Sequence, residues 1–207
     1  MQLAYTTTSP YVRRVAVMVT ELGLDGRVER ISVDNRDQDG DYAAINPLLK
    51  VPAMILDDGT ALIDSTAIAE FLDMQHDGPK LFAPPGEGRV ERMQLQVLVN
   101  GMQEASTTAT GEMIRRPEAL RWDDFLEKTL NKVRRGFDRL ESWIERIDRP
   151  LDYAVICVGV QCAHVDFRLG HVMEWRGDHP RLADWYARFA QRPSMQETAF
   201  HAPAAKG

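Results

Sequence analysis

Residues 50–65, KVPAMILDDGTALIDS, contain two apolar segments that flank a tight polar turn. The segments VPAMIL (51–56) and ALID (61–64) lie on either side of Asp57-Asp58-Gly59, and an Asp-Gly step between apolar runs is a strong hairpin signal. The helical pattern STAIAEFLDMQ follows at once, with Asp64 or Ser65 as its N-cap. The stretch therefore predicts a β-hairpin that leads directly into a helix.

The residues before the hairpin predict further strands and a helix. QLAYTTT (2–8) and VERISVD (28–34) are predicted strands, and RDQDGDYAAINP (36–47) is predicted to be a polar connection with about one helical turn. Between the strands, SPYVRRVAVMVTELGL (9–24) predicts a helix that Gly23 ends. The apolar face of this helix comprises Val12, Val15, Ala16 and Val19. The first 76 residues are therefore predicted to form a compact α/β unit.

The composition changes after residue 76. Residues 77–88 are rich in Pro and Gly and predict a linker, and strand signals nearly vanish from residue 89 to the end at 207. Two helical segments are predicted there, one with Val90, Met93, Val97 and Met102, the other with Trp122, Phe125, Leu126, Val133, Phe137, Leu140 and Ile144. The methionines are interpreted as core filler. Asp152 is the predicted N-cap of a helix that starts at Tyr153, residues 179–194 predict one more helix, and residues 201–207 a loose tail.

Composition limits the classes of function. With 207 residues, 44% of them hydrophobic, the chain can bury a sizeable core. A net charge of −6 argues against a nucleic-acid partner, which would require clustered Lys and Arg. No apolar run approaches the ~20 residues that span a membrane, and the N-terminus lacks the layout of a signal peptide. We therefore expect a cytoplasmic protein with neither nucleic acid nor membrane as a partner.

The cysteines and two of the histidines are interpreted as core residues. Cys157 and Cys162 lie five residues apart in one apolar helical segment, so they face different sides and do not predict a redox pair. His164 and His171 lie on the same periodic stretch, and no Cys/His cluster has the spacing of a zinc site. We therefore expect no metal.

Three short pieces of the α/β unit predict one binding site. Ser9-Pro10 places a hydroxyl at the start of a helix, where backbone N–H groups favour an anion. Val51-Pro52, directly before a strand, is a candidate cis peptide that exposes the Val51 backbone. Asp64-Ser65 offers a carboxylate and a hydroxyl at a helix N-terminus, which suits a ligand with both an ammonium and a carboxylate group.

The sequence resembles the cytosolic glutathione S-transferases, and most closely their bacterial serine-type members. The resemblance rests on SPYVRRV, on NPLLKVPAMILDDGTALIDSTAIAEFLD and, in the helical half, on VDFRLGH and RFAQRPSMQETAF, in the order and spacing of that family. It implies a thioredoxin-like α/β N-terminal domain (1–76) that binds glutathione. It also implies an all-α C-terminal domain (89–207) with the pocket for an electrophilic substrate, and a homodimer.

The resemblance also assigns roles to the site residues. Ser9 would be the catalytic hydroxyl that contacts the sulfur of glutathione, and the Val51 backbone would pair with its cysteinyl part. Asp64 and Ser65 would bind the γ-glutamyl ammonium and carboxylate. Lys50 would bind either the glycyl carboxylate or the γ-glutamyl end. Since a thiol with a pKa near ~8.5 is mostly protonated at neutral pH, a hydroxyl donor and a helix N-terminus would favour the nucleophilic thiolate.

Other residues leave alternatives open or depart from the family pattern. Tyr5 is a rival for the activating hydroxyl, although its strand parity with Leu3 favours burial. Of Arg13 and Arg14, one is expected to be structural and the other solvated. Leu49 stands where the family usually has glycine, which predicts a reshaped loop. Val155 replaces the usual acidic residue three positions after Asp152, which predicts a helix start that is less firmly held.

The predicted function is that of a glutathione S-transferase, with glutathione as co-substrate and a small hydrophobic electrophile as second substrate. Ser9 replaces the cysteine of family members that exchange disulfides, so chemistry through a protein thiol is disfavoured. Two alternatives stay open: a glutathione-binding or ligand-sequestering protein with little turnover, and a glutathione-dependent lyase or isomerase. The second-substrate pocket is predicted around residues 104–108 and Arg115-Arg116.

Overall fold

The computed structural model of the protein describes residues 1–36, 38 and 40–202. The chain divides into two compact units, one formed by Met1–Phe82 with the C-terminal residues from Pro193, and the other by Ala83–Arg192. Asp37 and Asp39 of the predicted polar connection, and residues 203–207 of the predicted tail, lie outside the described residues.

The first unit has the predicted order of elements. Its strands and helices up to residue 76 are β1 (Gln2–Tyr5), α1 (Pro10–Glu21), β2 (Glu29–Ser32), α2 (Tyr42–Ile45), β3 (Ala53–Ile55), β4 (Ala61–Ile63) and α3 (Ser65–Met74). β1 is shorter than predicted and ends at Tyr5. The β3–β4 turn is the predicted one, because Gly59 has a φ of 86° and Asp58 accepts a hydrogen bond from the Thr60 N–H at 2.8 Å.

The four strands form one mixed sheet in the order β2-β1-β3-β4. β1 is parallel to β2 and antiparallel to β3, and β3 is antiparallel to β4. The helices α1 and α3 pack against each other, and both bury apolar side chains. A mixed four-stranded sheet with these helices is the thioredoxin-like fold that the sequence predicted.

The second unit is helical throughout the part that the structure describes. Its α-helices are α4 (Glu87–Ile114), α5 (Asp123–Ser142), α6 (Ile144–Ile147), α7 (Tyr153–Leu169) and α8 (Pro180–Phe189), with a 3₁₀ turn at Glu118–Leu120. The helix α4 packs against both α5 and α7. The fold class predicted from the sequence, an α/β domain followed by an all-α region, is confirmed. None of the helices among the described residues is long and apolar enough to cross a membrane.

The C-terminal segment belongs to the first unit, and here the structure differs from the predicted boundaries. The helix α9 (Pro193–Glu197) packs against α1. Arg13 of α1 donates to the carbonyl oxygen of Met195 at 2.8 Å and to the hydroxyl of Thr198 at 3.3 Å, contacts that local sequence periodicity does not reveal. Arg13 and Arg14 are both buried, with 6% and 0% exposure, so the expected solvated arginine is wrong.

The start of α7 is held more firmly than the sequence predicted. Asp152 is the N-cap, as predicted, and its carboxylate accepts a hydrogen bond from the Val155 N–H at 2.9 Å. Arg92 of α4 donates to the same carboxylate at 2.9 Å and to the carbonyl oxygen of Arg146. An arginine from another helix therefore holds the Asp152 carboxylate in place, although it cannot accept from the Asp152 N–H as a capping-box acid does, and the expectation of a loose helix start is wrong.

Three of the four Cys and His residues interpreted as core residues are buried, as expected. His164 is 2% exposed, and its Nδ1 lies 3.0 Å from the Gln103 Nε2 and 3.3 Å from the Ser106 Oγ. Cys157 and Cys162 are buried free cysteines, and burial raises the pKa of the Cys162 thiol well above its ordinary value. His171, by contrast, is exposed, so its interpretation as a core residue is wrong. Cys157, Cys162 and His164 therefore belong to the packing between helices.

The first apolar segment of α4 is only partly buried. Met102 is 2% exposed, whereas Val90, Met93 and Val97 are 59%, 50% and 62% exposed. Their spacing of three and four residues puts these three side chains on one face of α4. The interpretation of Met93 as core filler is therefore wrong, and we call Val90, Met93 and Val97 the α4 stripe. The second apolar segment is also exposed at its start, at Trp122 and Phe125.

The packing of α7 against α8 gives a test of the helical unit. A Cβ added to Gly159 would overlap the ring of Phe189, whereas one added to Gly101 of α4 would meet nothing within 4 Å. We expect Gly159→Ala to lower the free energy of unfolding by about 1–3 kcal/mol through overpacking. Gly101→Ala should raise it by about 0.5–1 kcal/mol. Urea titrations of both variants measure the difference, and equal stabilities would contradict the packing described.

Candidate functional site

The three predicted pieces adjoin strand ends that lie at one edge of the sheet. Leu3 pairs with Met54 in antiparallel register, so the carboxyl end of β1 lies beside the amino end of β3. Ala53 pairs with Ile63, which puts the carboxyl end of β4 at the same edge. Since neighbouring strands lie about 4.8 Å apart, the edge from β1 to β4 is roughly 10 Å wide. Ser9, Val51 and Asp64 follow or precede these strand ends.

Ser9 is the N-cap of α1. Its backbone is extended, and its Oγ accepts a hydrogen bond from the Val12 N–H at 3.3 Å. A serine hydroxyl has one proton to donate besides its lone pairs, so capping leaves the proton of Ser9 available. The residue is half-buried. Ser9 can therefore cap its helix and donate to an anion at the same time.

The backbone N–H and C=O groups of Val51 are available to a ligand. The Val51–Pro52 bond is cis, as the sequence predicted. The Val51 N–H and C=O groups make no hydrogen bond to any other residue that the structure describes, and β3 starts only at Ala53. A half-buried backbone with an unpaired donor and acceptor beside a strand can pair with an extended peptide.

The residue before Lys50 holds an uncommon backbone conformation. Leu49 has a φ of 53°, in the left-handed region that glycine occupies without strain. The loop therefore takes a glycine-like turn even though leucine stands there, and its side chain packs against the cluster of Ala4, Tyr42 and Ala53. Leucine in place of the family's glycine therefore changes the packing of the loop and adds backbone strain at Leu49.

Asp64 is the N-cap of α3, which resolves the choice between Asp64 and Ser65. Its Oδ1 accepts a hydrogen bond from the Thr66 N–H at 2.8 Å, and its carbonyl oxygen accepts one from the Ile68 N–H at 3.1 Å. Its φ of 74° and ψ of 133° are rare for a residue other than glycine and cost about 1–3 kcal/mol. Strain of this kind persists where the surroundings enforce it, and it clusters at ligand-binding sites. Asp64 is exposed, so its carboxylate can also bind a cation.

Ser65 is the first residue of α3 and is 3% exposed. Its hydroxyl forms no hydrogen bond to another described residue. The positive end of the helix therefore carries a hydroxyl that can donate to a carboxylate.

Lys50 and Tyr5 are the two remaining candidate residues near this edge. The side chain of Lys50 is exposed and forms no ion pair with another described residue. Tyr5, the last residue of β1, is half-buried rather than buried, and the Arg30 guanidinium carbon lies 5.5 Å from the centroid of its ring. The structure therefore leaves Tyr5 as an alternative hydroxyl.

The residues predicted for a second-substrate pocket lie in the second unit. Glu104 and Thr108 are exposed on α4, and Arg116 is bound to the Glu112 carboxylate at 2.7 Å. A hydrogen bond from the Trp122 N–H, followed by Arg116, lowers the pKa of Glu112. Burial lowers the pKa of Arg168, and Arg115 adds to this. That these residues line a pocket stays a prediction.

Two residues that contact the Lys50 carbonyl were missed in the sequence. Tyr42 and Asn46 each donate to that oxygen at 2.7 Å. Asn46 lies in the NPLLKVP motif but was read only as part of the motif, and the position of Tyr42 in a polar connection gave no functional signal.

No group of three or more His, Cys, Asp or Glu side chains suited to a metal was found among the described residues.

The fold is that of a thioredoxin-like α/β protein with a helical region that follows it in sequence, and its candidate site lies at the strand ends of the sheet. Residues 8–75 match the model of the glutathione S-transferase N-terminal domain. A glutathione transferase family member from Pseudomonas fluorescens Pf-5, crystallised with bound glutathione, is 36% identical, with a TM-score of 0.93, 97% of this chain covered and 99% of that one. The chain belongs to the glutathione S-transferase family.

A further crystal structure and a further relative agree with this assignment. A second crystal structure of a Pseudomonas fluorescens Pf-5 member holds S-(propanoic acid)-glutathione; it is 35% identical, with a TM-score of 0.89, over 98% of this chain and 100% of that one. The uncharacterized GST-like protein YibF of Escherichia coli K12 is 26% identical over 96% of this chain and 98% of its own length. The likeness therefore extends over nearly the whole sequence.

Proposed function

We propose that this chain is a glutathione transferase that stabilises the glutathione thiolate for attack on a small hydrophobic electrophile. The observation that carries the proposal is that three groups adjoin strand ends at one edge of the sheet and keep the capacity to bind a ligand: the Ser9 hydroxyl, the Val51 backbone and the Asp64-Ser65 pair. An extended tripeptide spans roughly 10 Å, which matches the width of this edge. The Pseudomonas fluorescens relative, crystallised with glutathione and with a glutathione adduct, supports the same ligand.

Each piece of the edge would bind one part of glutathione. The cysteinyl backbone pairs with Val51, which puts the sulfur near Ser9. Asp64 binds the γ-glutamyl ammonium, and the hydroxyl of Ser65 at the start of α3 binds its carboxylate. Lys50 binds either the glycyl carboxylate or the γ-glutamyl end. The predicted second-substrate residues, 104–108 with Arg115 and Arg116, belong to the proposal as well.

The chemistry follows from the position of Ser9. Its hydroxyl donates to the sulfur, and the positive end of α1 favours negative charge there, so the thiol loses its proton to solvent more readily. The thiolate then forms a carbon–sulfur bond with the electrophile. Either a leaving group such as chloride departs with its electron pair, or a proton from water completes an addition to a double bond. We propose a detoxifying role in the cytoplasm, where thiols stay reduced.

Turnover with glutathione and 1-chloro-2,4-dinitrobenzene tests this function and the identity of the hydroxyl. We expect the parent to be active, and Ser9→Ala to cost ~10- to 1000-fold in rate at neutral pH because the anion loses a donor. The matched variant Tyr5→Phe should keep its activity. If Tyr5→Phe abolishes activity and Ser9→Ala does not, the wrong hydroxyl was chosen.

Glutathione binding without turnover of any electrophile would favour a sequestering protein, and glutathione returned unchanged with a rearranged substrate would indicate an isomerase or lyase.

Asp64 separates recognition from activation. Because Asp64 would bind the ammonium far from the sulfur, it should contribute equally to the ground and transition states. Asp64→Asn keeps the helix cap and tolerates a positive φ, so the fold should survive. A charge-assisted contact of ~1.5–3 kcal/mol predicts weaker glutathione binding by roughly 10- to 150-fold, with kcat unchanged within a few-fold. Calorimetry and a melting curve measure this, and a folded Asp64→Asn protein with the affinity of the parent would reduce Asp64 to a cap.

We also propose a homodimer formed through the α4 stripe. Three large apolar side chains exposed on one face of α4 favour burial against a second copy. Light scattering should give twice the 23.4 kDa of one chain at micromolar concentration. Met93→Glu should shift the protein to monomer, whereas Val172→Glu, at a position 41% exposed outside the stripe, should not. A monomeric parent would overturn the proposal.

A further inference from the structure

The carbonyl oxygen of Lys50 is held by two buried donors. The Tyr42 hydroxyl and the Asn46 side-chain amide each donate to it at 2.7 Å. Tyr42 is 4% exposed and Asn46 is 2% exposed. We call these two side chains and the Lys50 carbonyl the Lys50 clamp. Two short hydrogen bonds on one carbonyl satisfy both of its lone pairs and fix its direction.

Asn46 also fixes the rest of the loop. Its Oδ1 accepts a hydrogen bond from the Leu48 N–H at 3.0 Å, and its carbonyl oxygen accepts one from the Leu49 N–H at 2.9 Å. With the amide oxygen occupied by an N–H donor, the Nδ2 must face Lys50, so the orientation of the amide is determined. Asn46 thus holds Leu49 in its left-handed conformation and directs the chain into Lys50.

Tyr42 stays a hydrogen-bond donor throughout the neutral range. Burial raises the pKa of its phenol above the ordinary 10.0, and the neighbouring Asn46 amide lowers it by less. Its ring packs with Ala4 of β1 and Ala53 of β3, and Val51 packs against the same cluster. The Tyr42 ring, which carries the hydroxyl, is therefore held by its packing against the sheet.

The Lys50 carbonyl and the Val51 N–H belong to one planar peptide. In a trans peptide the C=O and N–H groups point in opposite directions, so fixing the oxygen also fixes the N–H. We propose that Tyr42 and Asn46 are positioning residues that aim the Val51 N–H at the cysteinyl backbone of glutathione, an inference that rests on the proposed function. Donors at the oxygen also polarise the peptide and strengthen the N–H as a donor. The clamp therefore sets glutathione affinity without touching the ligand.

The test compares Tyr42→Phe and Asn46→Asp with the parent. Tyr42→Phe keeps the buried ring and removes one donor, and Asn46→Asp keeps the acceptor for Leu48 and loses the amide donor. We expect Kd for glutathione to rise ~3- to 10-fold in Tyr42→Phe and further in Asn46→Asp, with KM rising and kcat within twofold. Val28→Ala is the control because Val28, 5% exposed and just before β2, lies outside the loop, so the variant is destabilised without loss of the clamp.

A second measurement reports on the peptide itself. Glutathione should slow amide exchange at the Val51 N–H in the parent and slow it less in Tyr42→Phe, whereas Val28→Ala should behave as the parent does. If folded Tyr42→Phe binds glutathione as tightly as the parent, or no more weakly than Val28→Ala does, the clamp is overturned while the proposed function stands. If the parent itself does not bind glutathione, the proposed function fails and the clamp fails with it. Should Asn46→Asp not fold, Tyr42→Phe alone decides.

Discussion

The antiparallel pairing of β1 with β3 is the constraint on which the candidate site depends. It places the end of β1, from which the chain continues to Ser9, beside the peptide that precedes β3. The β3–β4 hairpin then brings Asp64 and Ser65 to the same edge. A register shift of two residues would move one of these groups by about 7 Å and separate it from the others. The strand register of the sheet thus sets the spacing of the groups that would bind an extended ligand.

The site combines two kinds of group with different physical roles. Hydroxyls and helix ends at Ser9 and Ser65 favour negative charge and need little reorganisation, because their helices already orient them. The Val51 backbone would orient the main chain of the ligand. The orientation of the Val51 N–H is in turn fixed by buried side chains in α2 and the following loop, which bind the carbonyl oxygen of the same peptide. Leu49 and Asp64, which precede and follow the β3–β4 hairpin in the chain, are both strained by a positive φ. We infer that affinity and activation are built by separate residues of one unit.

Much of this arrangement was predictable because it is local. The cis peptide at Pro52, the turn at Gly59 and the cap at Asp152 each follow from residue types within a few positions. Contacts between distant segments were not predictable: Arg13 binds α9, Arg92 holds the start of α7, and Tyr42 reaches Lys50 across a loop. Apolar periodicity likewise located α4 but did not tell which apolar residues are exposed, since a face that packs on a neighbour looks the same as one on the surface.

A crystal structure of the protein soaked with glutathione tests the central claim most directly. The account predicts an extended tripeptide along the sheet edge, with its sulfur within hydrogen-bonding distance of the Ser9 Oγ and its cysteinyl backbone paired with Val51. The γ-glutamyl group should lie at the start of α3. Glutathione bound elsewhere, or bound with its sulfur directed away from Ser9 while Val51 stays unpaired, would contradict the account.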